Sequence, residues 1–246
     1  MKEVGIDSAS SLHTSESVGE APVLRPVAVR PKCSSNVQST PEIEKKYVHG
    51  VYDAIAPHFS STRFAKWPKV SAFLSSLFPG SLILDAGCGN GKYLGLNPDC
   101  FFIGCDISAA LINICTDRGH EVLVADAVNL PYRTGYGDAT ISIAVLHHLS
   151  NSSPTGSEKG YAEQQEYFVP WHLPYHRAEV SGASAVALAS GLAKKDDKKG
   201  SVVYNRYYHV FSEGELERLV SDMDNAILVD RFYDKSNWCI ILEKTS

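Results

Sequence analysis

Apolar residues in the first half of the chain recur at helical spacing in two segments. In "PEIEKKYVHGVYDAIAPHF", residues 41–59, the apolar positions 43, 47, 48, 51, 52 and 55 predict a helix, which Pro57 is expected to end. The segment "WPKVSAFLSSLFPG", residues 67–80, predicts a second helix that stops at Pro79-Gly80. Both helices precede the first strongly apolar strand pattern.

Strand and helix patterns alternate after residue 80. The predicted elements are a strand at 82–85, a helix from about 91, a strand at 101–105, a helix at 108–117, and strands at 121–125 and 139–145. Alternation of this kind predicts an α/β fold, with a parallel sheet covered by helices on both faces.

Residues 150–200 interrupt this alternation. "SNSSPTGSEKG" is typical of a loop, and "KKDDKKG", residues 194–200, of a solvated charge run. "ASAVALASGLA", residues 183–193, fits either a short helix or a low-complexity linker. We therefore expect an irregular insertion over 150–200.

The last 46 residues regain a regular pattern. "SVVYNRYYHVF" is expected to be extended, and Ser212 with Glu215 forms a capping-box pattern that predicts a helix in "SEGELERLVSDM". "NAILVDRFYD" and "NWCIILEK" predict a closing antiparallel pair of strands.

The N-terminal segment has a different composition from the rest. Residues 1–40 are rich in Ser, Thr, Pro and Val without periodicity, so we expect a disordered leader before a single domain at 41–246. An organelle transit peptide is the weaker alternative, because the segment contains several acidic residues: Glu3, Asp7, Glu16 and Glu20.

Composition narrows the class of protein. The chain has 246 residues, 44% hydrophobic and 21% charged, no membrane-length apolar run and no secretory signal pattern. Its six cysteines form no CxxC pair, so we expect free thiols, no metal site, and a location in the cytoplasm, with the nucleus as a second possibility. The net charge of −5 disfavours nucleic-acid binding unless a local basic face or a helper subunit provides it.

Candidate chemistry begins at "LILDAGCGNGKYL", residues 82–94. Gly87, Gly89 and Gly91 follow an apolar strand and allow a ligand to approach the backbone closely. The dinucleotide pattern requires a third glycine at the position of Lys92, which disfavours an NAD-dependent dehydrogenase. Asp85 before the turn suits a cationic, amino-acid-bearing nucleoside, although a purely structural turn is an alternative.

Two further acids end neighbouring strands. Asp106 ends "FFIGCD" and is placed to accept hydrogen bonds from two ribose hydroxyls, or only to cap the next helix. Asp126 in "EVLVADAVNLPY" is placed to accept from the exocyclic amine of adenine, or is a turn residue. Ligands of open α/β sheets bind at the carboxyl ends of strands, where these acids are expected.

These motifs resemble those of class I S-adenosylmethionine-dependent methyltransferases. More narrowly, "VYDAIAPHFSSTRFAKWP", "ISIAVLHHLS", "VPWHL" and "RYYHVFSEGELERLV" resemble the tRNA wobble-uridine methyltransferases, over residues 42–150 and 164–246. The resemblance implies a Rossmann-like fold, S-adenosylmethionine as cofactor, tRNA as substrate and a small zinc-binding activator subunit as partner. It also implies methylation of the carboxylate of 5-carboxymethyluridine.

The resemblance implies roles for three groups of residues. Since an ionised carboxylate is the nucleophile, the chemistry needs positioning and an anion-binding group rather than a strong base. The expected cofactor-binding residues are Asp85, Gly87, Gly89, Gly91, Asp106, Ile107, Asp126 and Ala127. The expected catalytic residues are Arg63, His147, His148 and Arg206, and the expected substrate-binding residues are Tyr207, Tyr208 and His209.

Each of these side chains also has a purely structural interpretation. The structural alternatives are a backbone hydrogen bond for each histidine, a surface position for Arg63, and a half-buried strand for residues 206–209. The lysines between 194 and 199 are either phosphate contacts or a solvated loop, and the loop is favoured.

The chain departs from the family after "HHLS", where a basic helix and a fifth strand are missing. We therefore expect an internal deletion after residue 150, with the last two strands pairing with the fourth strand or its edge left frayed. Two alternatives remain open at this point. One is an inactive methyltransferase-like module that binds tRNA or the activator, and the other is a small-molecule methyltransferase.

Overall fold

A four-stranded parallel sheet forms the centre of the computed structural model, which describes residues 39–150, 165–181 and 183–245. The strands are β1 (Leu82–Ala86), β2 (Phe101–Asp106), β3 (Val122–Val124), β4 (Ala139–Ile141), β5 (Glu166–Pro174), β6 (Ala193–Asp196), β7 (Ser201–His209), β8 (Ala226–Asp234) and β9 (Asn237–Lys244). The helices are α1 (Glu42–Glu44), α2 (Gly50–Thr62), α3 (Pro68–Ser75), α4 (Ala109–Asp117), α5 (Tyr175–Ser181), α6 (Ala183–Ala189) and α7 (Glu215–Val220). A π-helical turn at Lys45–His49 joins α1 to α2, and a 3₁₀ turn covers Leu146–His148.

The parallel sheet has the order β3-β2-β1-β4, with Leu82 opposite Phe101 and Ile83 opposite Ala139. Helix α3 packs against β1 and β4 through Val70 and Leu74, while α4 packs beneath the glycine turn through Cys115. The predicted mixed α/β class is confirmed. Within the described residues, no fifth strand joins this sheet.

The second sheet is antiparallel, with the order β5-β7-β6. It packs against α2, where Val51 and Ile55 contact Trp171 and Tyr204 in the largest cluster of buried apolar side chains. Strand β5 was not predicted. The expected irregular segment therefore contains β5, α5, α6 and β6. The loop predicted at 150–160 lies outside the described residues after Ser150, as does the leader up to residue 38.

Several predicted boundaries are wrong, each for a local physical reason. Pro57 does not end its helix but lies inside α2, because Phe59 beyond it packs on the core and Ser60 is buried. No helix follows the glycine turn, since Gly91 and Gly95 have φ of 74° and 71°. Strand β4 stops at residue 141, before Ala144 at φ 59°.

The expectation that the last two strands pair with the fourth is also wrong. Strands β8 and β9 pair with each other as a separate antiparallel hairpin, as their own pattern predicts, and neither bonds to β4. A tight turn joins them, so their mutual pairing closes a short loop at low entropic cost. None of the helices in the described residues is long and apolar enough to span a membrane.

Candidate active site

A cavity of about 410 Å³ lies where the strands of the parallel sheet end, within the range typical of small-ligand sites. It is lined by most of the predicted cofactor-binding residues: Asp85, Gly87, Gly89, Asp106, Ile107, Asp126 and Ala127. Gly91 does not line it and instead packs in the turn beside Cys115. Helix α2 and the segment after β4 close the cavity from the other side.

The glycine turn brings backbone to the edge of this cavity. The N–H groups of Gly87 and Cys88 both donate to the Cys105 carbonyl at 2.8 Å, which fixes the turn on β2. Gly87 has φ 82°, and a Cβ there would lie 2.2 Å from Cγ2 of Val145. Gly89 has φ 57° and faces open space, where a Cβ would meet only Phe59 at 3.7 Å. Position 87 therefore needs glycine for packing, and position 89 leaves room for a ligand.

Asp106 connects the turn to the next helix. Its Oδ2 accepts from the Gly89 N–H and its Oδ1 from the Ser108 N–H, both at 2.9 Å. Burial raises the pKa of Asp106 despite these two bonds. A carboxylate has about four acceptor sites, so each oxygen can still accept one ligand hydroxyl.

Asp85 is the carboxylate with unused bonding capacity. It is 2% exposed, and its Oδ2 has no hydrogen-bond partner. Burial raises its pKa to about 7, and the charge of Asp106 adds to this, whereas Lys92 opposes it. A buried carboxylate oxygen without a partner is costly, so this position favours a cationic donor from a ligand.

Asp126 lies at the third strand end. Its Oδ1 accepts from the Val128 N–H at 3.0 Å, which is the turn geometry anticipated as its alternative role. Its Oδ2 accepts from the Thr40 hydroxyl at 2.9 Å, so the segment before α1 reaches this end of the cavity. Both oxygens keep a second acceptor site for a ligand amine.

The two histidines after β4 differ in what they can do. His148 Nδ1 donates to the Tyr207 carbonyl at 2.7 Å, which leaves Nε2 to accept from the Tyr52 hydroxyl at 2.8 Å. Both nitrogens are therefore used within the protein, as the backbone-bonded alternative requires, while His148 also lines the cavity and its catalytic role stays a prediction. His147 lines the cavity and stacks on Tyr208 with ring centroids 4.6 Å apart.

Positive charge at the cavity comes from arginine rather than histidine. Burial lowers the pKa of His147 to about 4 and that of His148 to about 3, so both rings are neutral at pH 7. Arg206 is 7% exposed, donates from Nη1 to the Tyr208 hydroxyl at 2.8 Å, and has a buried Nε without a partner. Arg63 is exposed and lies at the cavity mouth.

Trp171 holds both arginines. The guanidinium carbon of Arg63 lies 5.0 Å from the centroid of this indole and that of Arg206 lies 4.8 Å from it. The indole N–H donates to His58 Nδ1 at 3.1 Å, which fixes the ring on α2. Two guanidinium groups thus converge on one side of the cavity, an arrangement suited to an anion.

Comparison with known proteins agrees with this chemistry. A family model described as "Methyltransferase domain" matches residues 84–158. A tRNA (carboxymethyluridine(34)-5-O)-methyltransferase of Arabidopsis thaliana is 49% identical, with 98% of this chain and 91% of that protein covered. The Schizosaccharomyces pombe protein of the same name is 36% identical, with 82% and 98% covered.

The chain belongs to the tRNA (carboxymethyluridine(34)-5-O)-methyltransferase family. Some relatives are longer: a Xenopus tropicalis protein of that name is 35% identical, but this chain spans only 41% of its length. The alignment with the Arabidopsis methyltransferase has 371 positions, whereas 98% of this chain is about 241 residues. About 130 positions therefore face no residue of this methyltransferase, which either a deletion in this chain or an insertion in the Arabidopsis protein would produce. The location of the deletion after residue 150 stays a prediction.

A methyltransferase needs a methyl donor, and the cavity fits S-adenosylmethionine, the cofactor that the sequence motifs imply. The unpartnered Asp85 oxygen suits the cationic amino-acid end, and the remaining acceptor sites of Asp106 suit a ribose diol. The open space beside Gly89 lets the ligand approach the backbone. Within the described residues, no group of three or more metal-ligating side chains occurs.

Two of the three predicted substrate-binding residues are not at the cavity of this methyltransferase. Side chains alternate along β7, so Arg206 and Tyr208 face the cavity while Tyr207 and His209 face away. Tyr207 is 3% exposed, with its ring 6.3 Å from that of Phe168. His209 lies between Glu166 at 2.7 Å and Glu215 at 2.6 Å, which fixes α7 to the sheet.

Sequence reasoning missed three contributors to the site, Tyr52, Phe59 and Trp171. Tyr52 and Phe59 fall on the apolar positions of α2 and were indistinguishable from core residues. Trp171 belongs to the "VPWHL" motif, which was recognised as typical of the family without a role. Lys92 also lines the cavity, and burial lowers its pKa.

Proposed function

We propose that this chain transfers the methyl group of S-adenosylmethionine to the carboxylate of 5-carboxymethyluridine at the wobble position of tRNA. The observation that carries the proposal is the buried guanidinium of Arg206, whose Nε has no partner and which lies at the cavity beside two neutral histidines. This environment suits an anion, because Arg206 is charged while His147 and His148 beside it are neutral.

The residues of the chain act by positioning. The cofactor, when bound, supplies a methyl group on a positively charged sulfur. Arg206 and Arg63 hold the substrate carboxylate, and Tyr208 with His147 offers a stacked surface for the uracil ring. One carboxylate oxygen forms the new O–CH₃ bond while the S–CH₃ bond breaks, and no proton moves. A general base is therefore not required.

Arg206→Lys tests this proposal, because lysine keeps the charge but loses the bidentate fork. Methyl transfer from labelled S-adenosylmethionine to tRNA bearing 5-carboxymethyluridine is measured with the activator subunit present. We expect kcat to fall at least about tenfold, the loss of one charge-assisted hydrogen bond, with unchanged cofactor affinity. Arg231→Lys on the exposed face of β8 serves as the matched control.

Three outcomes decide between the alternatives. A wild-type product that releases labelled methanol in mild alkali is the expected ester. Binding of cofactor and tRNA without any transfer indicates the inactive module instead. Transfer to a free small carboxylic acid but not to tRNA indicates a small-molecule methyltransferase.

A small zinc-binding activator subunit is the partner that we propose from the family resemblance. The edge strand β3 leaves Val124 52% exposed, and Val128 and Leu130 are exposed after it. Such an apolar edge needs a cover. Co-expression with the activator should raise the yield of soluble protein, and Val124→Lys should abolish that gain.

We also propose a cytoplasmic location, with the nucleus as a second compartment. The five cysteines in the described residues are free, which suits a reducing compartment. Fluorescence microscopy of a tagged full-length chain tests this location.

A further inference from the structure

A second cavity, of about 620 Å³, lies beside the hairpin formed by β6 and β7. Three lysines line it, Lys194, Lys195 and Lys198, together with Tyr47 and Asn205. We call this cavity the basic groove. It has no part in the cofactor site described above, and none of its lysines lines that site.

The lysines of the basic groove are available to a ligand. Lys194, Lys195, Lys198 and the adjacent Lys199 are all exposed, and within the described residues none of them forms a salt bridge. This places four positive charges on one turn of a chain whose net charge is −5.

The two acids among these lysines have structural partners of their own. Asp197 accepts from the Tyr175 hydroxyl at 2.6 Å, and Asp196 accepts from the Lys199 N–H at 3.1 Å, which shapes the turn. The carboxylates of Asp196 and Asp197 therefore stabilise the turn between β6 and β7. The lysine side chains are exposed and form no salt bridge within the described residues. Phosphate is the anion that such an array of point charges favours.

Aromatic side chains border the same groove. Tyr47 lines it and packs edge-on against Phe168 with ring centroids 4.7 Å apart, and Phe168 is 50% exposed. Lys46 lies over the Tyr47 ring at 5.2 Å. One partly exposed ring in the groove, Tyr47, thus lies beside the lysines, and surfaces that bind single-stranded nucleic acid combine cations for the phosphates with aromatic rings for the bases.

The basic groove and the cofactor cavity share two elements but lie on opposite faces of β7. Asn205 of the groove directly precedes Arg206 of the cavity on that strand, so their side chains point to opposite faces, and Tyr47 directly precedes Val48, which lines the cavity. Lys194 is paired with Val203, three residues from Arg206, which is about 10 Å along an extended strand. Phosphates that contact these lysines therefore belong to parts of a bound RNA that extend past the edge of the sheet, away from the nucleotide held at Arg206.

We propose that the basic groove binds phosphodiester groups of the tRNA that lie outside the nucleotide held at Arg206. This proposal rests on the proposed function, since it uses the same substrate, and it assigns to the lysines a role that their sequence pattern alone did not favour. The groove supplies the local basic surface that an acidic chain needs in order to bind RNA.

The test replaces two lysines of the groove, Lys194→Gln with Lys198→Gln, in the full chain with its activator. Lys235→Gln with Lys244→Gln, two exposed lysines of the β8–β9 hairpin, is the matched control. Fluorescence anisotropy measures binding of an unmodified tRNA and its anticodon stem-loop across a salt series. Each lost phosphate contact lowers the slope of log K against log salt by about 0.7, so two contacts weaken binding about tenfold near 0.15 M salt.

We expect the groove variant to show this weaker affinity and shallower slope with both RNAs, and a raised tRNA KM with unchanged kcat and cofactor affinity. An affinity and slope equal to those of wild type would overturn the proposal and show a solvated turn. Because the binding assay needs no methyl transfer, failure of the proposed function would appear separately, as absence of ester product with RNA binding intact. A variant with Lys194→Arg and Lys198→Arg should bind both RNAs with the affinity of wild type, because arginine retains the positive charge that glutamine removes.

Discussion

Burial of the charged Asp85 carboxylate destabilises the folded protein, while the same charge is expected to bind the cationic end of the cofactor. Replacing Asp85 with asparagine separates the effect on stability from the effect on binding. The carboxyl group is 2% exposed, and its Oδ2 has no partner. Burial, with the charge of Asp106, raises its pKa from 3.8 to about 7. Asp85→Asn keeps the shape of the side chain and removes the charge.

The magnitude follows from linkage between protonation and folding. A carboxyl group whose pKa rises on folding stabilises the folded state fully below pH 4, and that stabilisation is lost as the pH rises through about 7. The difference between 3.8 and about 7 corresponds to about 4 kcal/mol at about 1.4 kcal/mol per pH unit. We therefore expect Asp85→Asn to raise the free energy of unfolding at pH 8 by up to about 4 kcal/mol, with little change at pH 4.

Cofactor binding should change in the opposite direction. Loss of one charge-assisted hydrogen bond to a cationic group costs about 2 kcal/mol, which is about thirtyfold in Kd. In the wild-type protein, affinity for S-adenosylmethionine should fall as the pH decreases below about 7, because Asp85 becomes protonated. The variant should lose this pH dependence.

Urea unfolding at pH 4 to 8 measures stability, and isothermal titration calorimetry measures cofactor affinity over the pH range in which the protein stays folded. Asp99→Asn, at an exposed carboxylate, is the control and should change neither quantity. A variant that is less stable than wild type at pH 8, or that binds the cofactor with unchanged affinity, would refute the reasoning.

Three further predictions concern the glycine turn, the Tyr52–His148 hydrogen bond, and His209. Gly87→Ala should destabilise the fold by more than about 2 kcal/mol in urea unfolding, because φ 82° and contact with Val145 both oppose a Cβ. Gly89→Ala should cost only the strain of φ 57°, about 1–2 kcal/mol, and should in addition weaken cofactor binding in calorimetry. Tyr52→Phe should cost about 1–3 kcal/mol of stability, since it leaves Nε2 of His148 buried without a donor; a stability equal to wild type would contradict that hydrogen bond. Burial alone would lower the pKa of His209, but hydrogen bonds to Glu166 and Glu215 raise it, so this histidine stabilises the fold below its ordinary pKa of 6.5 and the benefit disappears as the pH rises through the raised value. His209→Gln should therefore lose about 2 kcal/mol at pH 6 and less at pH 9, as thermal melts at both pH values would show.

Local patterns predicted the parallel sheet and the cofactor side of the site. Glycines after an apolar strand mark a backbone turn, and acids at successive strand ends converge because parallel strands end at one edge. Asp85, Asp106 and Asp126 accordingly lie on one cavity. These features depend on residues close together in the chain, so their spacing carries the information.

Other features depended on contacts between distant segments. Pro57 alone predicts the end of a helix, but packing of Phe59 on the core carries α2 to Thr62. The spacing of β7 implies two faces without indicating which face meets the cavity, and only packing against α2 assigns Arg206 and Tyr208 to it. Trp171 contacts two arginines that are distant from it in the sequence. Arg63 lies more than a hundred residues before it, and Arg206 about thirty-five residues after it.

The sequence by itself thus determined the α/β class, the glycine turn, the three strand-end acids and the family. Tertiary structure decided which histidine is bonded to backbone, which residues of β7 face the substrate side, and that β8 and β9 pair with each other rather than with β4. The physical reason is that hydrogen bonding and alternation act between near neighbours in the chain, whereas burial, charge and partner choice depend on what the rest of the fold places beside each residue.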